Sequence, residues 1–338
     1  MKPTFYYNID ILGSCNLACP TCPQGNSDVA IPNKLMDVDL FRQILNKAER
    51  ETTVSGVGLF NWTEPMLHPK CGEFVRELKL RKIPCHLSTN LNVIRNLKST
   101  LNEDPTTLRI SVSGFTQENY KTTHAKGDIE VVKANMLELS TYLRNNPRLT
   151  TVVAVLFHRY KHNADDEVLM REYSMRLGFR FDTVEAYIMP LETVIKRWDR
   201  VLPPMEIEAK LLNSLDSVKP LCKKVKGMSC HLQIRELTVD CLGDVHTCCA
   251  LFDPKLSRIG NFLSSPVAEI QDLKFKSKTC TRCIASGGHA YSTYLWKFKG
   301  RLLHRAGNLR AVYRSMWASI AYHLNLRRNY MSLERKTK

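Results

Sequence analysis

The stretch Gly13–Asn26, GSCNLACPTCPQGN, places Cys15, Cys19 and Cys22 close together near the start of a chain of 338 residues. The run FYYNIDIL, residues 5–12, lies directly before it and has the apolar, β-branched character of a strand. A loop carrying three thiols in the spacing CxxxCxxC therefore follows the first predicted strand. The number and order of the remaining predicted strands indicate the fold in which this loop lies.

Strand-like runs alternate with amphipathic stretches up to about residue 190, which is the pattern of repeated β-α units around a parallel sheet. The predicted strands cover residues 5–12, 54–60, 85–89, 108–113, 150–157 and 181–188. The predicted helices cover residues 38–50, 71–82, 93–101, 129–145 and 164–177. Six units without a seventh or eighth predict an α/β fold, a partial (β/α)6 TIM-like barrel that is open on one side.

Barrels of this type carry their chemistry at the carboxyl ends of the strands. Polar residues follow most of the predicted strands, in the segments NWTEP (61–65), STN (88–90), SVSG (111–114) and HRYKHN (158–163). We therefore expect them to share one rim with the cysteine loop.

The repeat stops near residue 191, and the rest of the chain divides by composition. We expect a barrel domain over residues 1–190, linker helices over 191–221 and a cysteine-rich domain over 222–290. A basic, amphipathic helical tail is predicted over 291–338.

The two groups of cysteines favour metal binding, because the start of the chain is a poor export signal and reduced cytoplasmic cysteines seldom form disulfides. Three thiolates suit a 4Fe-4S cluster that leaves one iron open to a cofactor or substrate. The later cysteines could hold either an iron-sulfur cluster or the zinc of a ribbon. These are Cys230, Cys248, Cys280 and Cys283.

At CxxxCxxC the chain resembles the radical S-adenosylmethionine (SAM) superfamily. The resemblance implies a 4Fe-4S cluster on the three cysteines and reductive cleavage of SAM to a 5′-deoxyadenosyl radical, which takes a hydrogen atom from the substrate. NWTEP is similar to the family's GGEP motif, with Trp62 and Thr63 in place of the glycines. STN and SVSG are similar to the family's segments that contact the ribose and methionine of SAM. Together with NWTEP they imply SAM contacts at Trp62, Thr63, Glu64, Asn90, Ser111 and Ser113. Arg159 is either a solvated residue or a guanidinium that faces the SAM carboxylate.

The later cysteines resemble the SPASM/twitch extension of radical SAM enzymes. Cys230 is followed by twelve residues, Gly243, four residues and Cys248, and then by the pair Cys280 and Cys283. The resemblance implies a second, auxiliary 4Fe-4S cluster, in the single-cluster twitch form. Cys249 is either a hydrogen-atom donor to a substrate radical, as an epimerase needs, or a buried, inert thiol.

The net charge of +16 is concentrated in the tail, where residues 296–338 contain eleven Lys or Arg and one acidic residue, Glu334. Cationic stems beside an apolar stripe favour peripheral contact with the inner membrane surface, and an ordinary helix docked on the barrel is the alternative. We otherwise expect a cytoplasmic protein.

The resemblance implies an oxidoreductase or epimerase that acts on a small, carbohydrate-type molecule, with a one-electron donor such as flavodoxin or ferredoxin. A radical SAM enzyme that matures ribosomal peptides is the alternative. A zinc- and RNA-binding protein without catalytic activity is the hypothesis from another class. Nucleic acid is disfavoured, because no RNA-binding motif accompanies the basic charge.

Overall fold

A nine-stranded sheet organises residues 2–293, which are the residues that the computed structural model describes. Six parallel strands lie side by side in chain order, namely β1 (Thr4–Ile9), β2 (Thr53–Gly58), β3 (Cys85–Thr89), β4 (Thr107–Val112), β5 (Val152–Arg159) and β6 (Arg180–Glu185). All five pairings between neighbours are parallel. The prediction of an α/β partial barrel of six units is confirmed.

The helices between these strands follow the predicted periodicity. They cover Pro23–Asn26, Val38–Glu51, Cys71–Leu80, Leu97–Asn102, Gln117–Lys121, Ile129–Asn145 and Ala164–Arg176, with a 3-10 turn at Pro65–Leu67. The helix predicted over 93–101 begins only at Leu97, because the residues before it form the loop that follows β3. The other four predicted helices begin and end within two residues of the prediction.

The two faces of the parallel sheet differ in chemistry. Side chains alternate along each strand, and one set packs as an apolar core with the helices, for example Phe5, Tyr7 and Ile9 of β1. The opposite set, which faces the inside of the partial barrel, is largely polar and includes Asn8 and Arg109. A barrel interior of this kind is not filled by branched apolar residues and leaves polar groups available to a ligand.

Three short strands from the cysteine-rich region extend the barrel sheet. β7 (Glu236–Val239) pairs in parallel with β1, and β8 (Asp244–His246) and β9 (Arg258–Asn261) follow in antiparallel order. The sheet order is therefore β6-β5-β4-β3-β2-β1-β7-β8-β9. The sequence did not predict that β1 would gain this second neighbour.

The remaining helices follow β6, and several of them share a second apolar cluster. They cover Leu191–Trp198, Leu215–Lys223, His231–Arg235, Pro254–Ser257, Val267–Lys276, Lys278–Ser286 and Gly288–Ser292, with a 3-10 segment at Glu206–Lys210. Leu191, Trp198 and Leu215 from the predicted linker share this cluster with Tyr291. The tail predicted over 291–338 lies outside the described residues from position 294 onward. Across residues 2–293, every helix is too short or too polar to span a bilayer.

Candidate functional site

The three-cysteine loop is fixed to both sides of the barrel by hydrogen bonds. The Ala18 N–H donates to the Ala125 carbonyl at 3.0 Å. The side-chain amide of Asn26 donates to the carbonyls of Pro20 and Met189, at 3.0 and 2.8 Å. The loop is thus held at the carboxyl end of β1 before any ligand binds.

Burial keeps the three thiols of this loop protonated in the metal-free chain. It raises the pKa of Cys15 to about 11 and that of Cys22 to about 12. Burial also raises the pKa of Cys19, and the nearby Cys22 and Cys15 raise it further. Only thiolates bind iron, so cluster binding at this loop must release protons.

Glu64 and Asn90 connect the cysteine loop to the ends of β2 and β3. The buried Glu64 carboxylate accepts from the backbone N–H of Met66 and Asn90, at 3.1 and 2.7 Å. Burial raises the pKa of Glu64 to about 7, although these hydrogen bonds oppose the increase. The Asn90 side chain lies 3.8 Å from the Cys15 sulfur and donates to Asn16 at 2.9 Å. Glu64 therefore fixes two loops, and Asn90 is the predicted SAM residue that reaches the cysteines.

Asp10, which the sequence analysis did not select, holds the NWTEP segment. Its carboxylate accepts from the backbone N–H of Asn61 at 2.8 Å and of Trp62 at 3.3 Å. The Thr63 hydroxyl also donates to it, at 2.5 Å. The indole of Trp62 donates to the Leu251 carbonyl at 3.2 Å. Asp10 thus fixes the backbone of Asn61 and Trp62 and the side chain of Thr63, and the last two residues replace the glycines of the family motif.

Asp10 predicts a specific pH dependence of stability. Burial raises its pKa from the ordinary 3.8 to about 6, so the unfolded chain gives up this proton at lower pH than the folded chain. Native stability must then fall as the pH rises toward and through 6. Asp10→Asn removes the ionisation, so its free energy of unfolding relative to the native chain should rise by about 1 kcal/mol from pH 5 to 7.5. Denaturant titrations of the metal-free proteins measure this difference.

The exposed Asp28 gives the matched control for that experiment. Asp28→Asn should follow the native chain at every pH. A constant difference between Asp10→Asn and the native chain would contradict the assignment.

The other predicted SAM residues lie on the same rim, but two of them are already engaged. Ser111 faces the barrel interior, where its hydroxyl lies 3.3 Å from that of Ser88. The Ser113 hydroxyl is fully buried against Thr123 and against Nδ1 of His124, at 2.6 Å. Arg159 forms a two-point ion pair with Glu167, at 2.5 and 2.6 Å. A contact between Arg159 and SAM stays a prediction and requires this pair to open.

The four later cysteines line one pocket of about 380 Å³, although the first and the last are 53 positions apart in the sequence. Cys230 precedes the helix before β7, Cys248 follows β8, and Cys280 and Cys283 lie on the helix Lys278–Ser286. Burial raises the pKa of Cys230 to about 12 and that of Cys280 to about 11. Cys222 and Cys241 are buried elsewhere, and Cys241 lines a different pocket, beside Asp10.

The chemistry of this pocket fits an iron-sulfur cluster. His289 lines it and is 1% exposed, yet neither ring nitrogen has a hydrogen-bond partner. The carbonyls of Cys283 and Val225 lie near the ring but outside hydrogen-bonding geometry. An unpaired buried imidazole is costly, and a polar group in the pocket would satisfy it. Among residues 2–293 no three His, Cys, Asp or Glu side chains are arranged around a single metal ion, whereas a cubane spreads its thiolates over several irons.

Cys249 lies outside the lining of that pocket, and its thiol contacts both the neighbouring Cys248 thiol and the Glu236 carboxylate. Its sulfur lies 3.6 Å from the Glu236 carboxylate, which also accepts from the Asn8 side-chain amide at 2.8 Å. Glu236 begins β7, and Asn8 lies on the neighbouring β1. The two adjacent cysteines therefore have different surroundings, because Cys248 lines the four-cysteine pocket and Cys249 lies beside Glu236.

Arg109 supplies a cation inside the barrel and was not selected from the sequence. Its Nε donates to Ser88 at 3.1 Å, and its guanidinium lies over the Phe60 ring, 4.8 Å from the centroid. No described carboxylate forms an ion pair with it, and its terminal nitrogens have no described acceptor. Burial raises the pKa of the Tyr6 phenol, the nearby Glu236 raises it further, and Arg109 lowers it.

A family model matches the region that carries the three-cysteine loop. Residues 9–169 match the model of the radical SAM superfamily. The chain contains a radical SAM domain. The family implies a 4Fe-4S cluster and SAM, and the matched residues include the three-cysteine loop and the strands β2 to β5 of the barrel.

Comparisons with individual proteins identify the fold but not the substrate. SuiB of Streptococcus suis, solved with bound S-adenosylmethionine, matches with a TM-score of 0.56 and 12% identity, over 82% of this chain and 67% of its own. SuiB has also been solved with its precursor peptide SuiA. The AdoMet-bound anSMEcpe matches with a TM-score of 0.53 and 16% identity, over 95% of this chain and 99% of its own.

One curated relative is similar over a shorter stretch. It is the tungsten-containing aldehyde ferredoxin oxidoreductase cofactor-modifying protein of Pyrococcus furiosus, which is 33% identical over 85 residues. The match spans 25% of this chain and 23% of the relative. The SPASM/twitch form of the cysteine-rich region and its auxiliary cluster stay predictions.

Proposed function

We propose that this protein is a radical SAM enzyme that abstracts a hydrogen atom from a small, polar, carbohydrate-type molecule and leads it to oxidation or epimerisation. When bound together, a 4Fe-4S cluster and SAM supply one electron and a 5′-deoxyadenosyl radical. The observation that carries the proposal is the polar inner face of the barrel strands, which includes Asn8 and Arg109 and has Glu236 and Cys249 beside it.

The residues around the first site have separate tasks in this proposal. Cys15, Cys19 and Cys22 would hold the cluster and leave one iron for SAM. Asp10 and Glu64 would fix the backbone that receives the SAM methionine group. Because both carboxylates are buried and hydrogen-bonded to backbone N–H groups, the loops are ordered in advance of binding.

The side chains on the inner face favour a substrate with an anionic group and hydroxyl groups. Arg109 has terminal nitrogens available for a carboxylate or phosphate. Tyr6, Asn8 and Glu236 can bind hydroxyls on the opposite side. A sugar acid or sugar phosphate has this distribution of groups, whereas an apolar peptide side chain would leave these polar groups unpaired.

Cys249 is the candidate hydrogen-atom donor, because it is the thiol that reaches the interior. Glu236 accepts from it and would orient the S–H group. Donation of the hydrogen atom would leave a thiyl radical, and one electron delivered through the proposed auxiliary cluster, together with one proton, would restore the thiol. If the reaction is instead an oxidation, the same carboxylate is placed to accept a substrate proton, and an auxiliary cluster would take the electron.

Deuterium transfer into 5′-deoxyadenosine tests the substrate class. A metabolite extract is prepared from cells grown on a deuterated carbon source and is separated into anionic small-molecule, neutral small-molecule and peptide fractions. The anaerobic holoprotein is then incubated with SAM, dithionite and each fraction. We expect deuterium in 5′-deoxyadenosine with the anionic fraction. Arg109→Met should reduce this transfer at least tenfold, because a charged hydrogen bond of roughly 1.5–3 kcal/mol is lost.

Arg144→Met is the matched control, since Arg144 is exposed on an outer helix, and it should behave as the native protein. Transfer from the peptide fraction alone would support the peptide-modifying alternative. Zinc in both sites, without 5′-deoxyadenosine, would support the non-catalytic hypothesis.

A further inference from the structure

Lys274 is a buried lysine that the proposed mechanism does not use. It lies on the helix Val267–Lys276 and is 1% exposed. Lysine is among the residues least often fully buried unless it is paired, because removal of an ammonium from water is costly. A fully buried lysine therefore needs an explanation.

The hydrogen bonds of this ammonium do not neutralise it. Nζ donates to the backbone carbonyls of Leu232 and Glu236, at 3.2 and 2.5 Å. No carboxylate among the described residues forms an ion pair with it. The Glu236 carboxylate is engaged by Asn8 and Cys249 on the barrel side. Two carbonyl dipoles solvate the charge without balancing it.

The four-cysteine pocket lies next to this ammonium. The Leu232 carbonyl that accepts from Nζ lies between Cys230 and Gln233, which both line the pocket, so the charge is buried beside the pocket wall. Gln233, which lines the same pocket, donates to the Lys274 carbonyl at 3.2 Å. Four thiolates around a cluster form a net anion, and electrostatic attraction is strong in a buried environment.

We propose that Lys274 is the counter-ion of the four-cysteine site and raises the reduction potential of the cluster held there. The inference rests on the proposed function, since it assumes that the site holds an iron-sulfur cluster. One-electron reduction adds a negative charge to the cluster, and a fixed cation nearby stabilises the reduced form more than the oxidised form. The cation also favours deprotonation of the cysteines during assembly.

The reduction midpoint of this cluster measures the effect without any substrate. The full chain carrying Cys15/Cys19/Cys22→Ala is loaded with iron and sulfide, so that only the auxiliary site contributes to the EPR signal. It is then titrated with dithionite while the EPR signal of the reduced cluster is followed. Lys274→Met and Lys274→Gln are compared in this background. Both should have a lower midpoint than the parent, and both should retain less iron during a chelator challenge.

Lys276→Met is the matched control, because Lys276 lies two residues away on the same helix, is exposed and pairs with Asp272 at 2.6 Å. It should leave the midpoint unchanged. The glutamine variant guards against a folding defect, since its side chain can still donate to a carbonyl, and circular dichroism checks the fold of each protein. Loss of the irons from both folded Lys274 variants, with retention in Lys276→Met, would also support the inference.

Equal midpoints in the Lys274 and Lys276 variants would overturn the counter-ion role and leave the cluster itself intact. A parent protein that holds zinc or no metal at this site would instead overturn the auxiliary cluster of the proposed function. The metal content of the parent therefore separates the two failures.

Discussion

Replacing Cys15, Cys19 and Cys22 together with alanine should abolish the formation of 5′-deoxyadenosine from SAM and lower the iron content from about eight to about four atoms per chain. The reason is that no other described cysteine lies on this loop to replace them as ligands. Iron, sulfide and zinc are measured after anaerobic purification, and 5′-deoxyadenosine is measured after reduction with dithionite. The four irons that remain should belong to the pocket lined by Cys283 and its three partners.

Cys241→Ala is the control for this experiment, because Cys241 is a buried thiol outside both cysteine sites. It should keep all the iron and the activity. Zinc in place of iron in the anaerobically purified native chain would contradict radical chemistry at this loop. Loss of all eight irons from the triple variant would contradict the independence of the two sites.

Replacing Cys249 with alanine should remove all transfer of solvent hydrogen to the product, if the reaction is an epimerisation. Thiol protons exchange with solvent, so a native reaction in D2O should give a product with one deuterium on carbon. The alanine side chain has no S–H bond to donate, and the substrate radical would remain unquenched. Mass spectrometry of the product and of 5′-deoxyadenosine measures both steps, since hydrogen abstraction from the substrate should continue.

Cys241→Ala should again behave as the native chain, and Glu236→Gln should slow the transfer without ending it, because the thiol remains. A product two hydrogens lighter than the substrate, formed equally by native and Cys249→Ala proteins, would identify an oxidation. Cys249 would then have no role as a donor.

The barrel and its cysteine loop could be predicted from sequence because their signals are local. Each strand is a short apolar run, the helices repeat their apolar residues at regular spacing, and CxxxCxxC follows the first strand directly. Cys230, Cys248, Cys280 and Cys283 were selected from their spacing and line one pocket, and their role as ligands of one cluster stays a prediction.

The residues that sequence reasoning missed depend on contacts between distant segments. Asp10 looks like a polar interruption of an apolar run until its bonds to Trp62 and Thr63 are known. Arg109 lies in an ordinary alternating strand, and the polar face of that alternation would normally face solvent. Lys274 belongs to a helix with two lysines, and the residues around it in the sequence do not indicate that it, rather than Lys276, is buried. Burial of a charge is a tertiary property, which local pattern does not encode.

The parallel pairing of β7 with β1 has a consequence for how the chain is made. Asn8 and Glu236, which touch across this pairing, are 228 residues apart, so the first strand to leave the ribosome waits for one of the last. Until then one edge of β1 exposes unpaired backbone groups directly beside a loop of three thiols. Contacts of such sequence separation form slowly, and long-lived open edges promote aggregation. The nascent barrel therefore keeps this edge open, beside the three thiols, until β7 has been synthesised and pairs with β1.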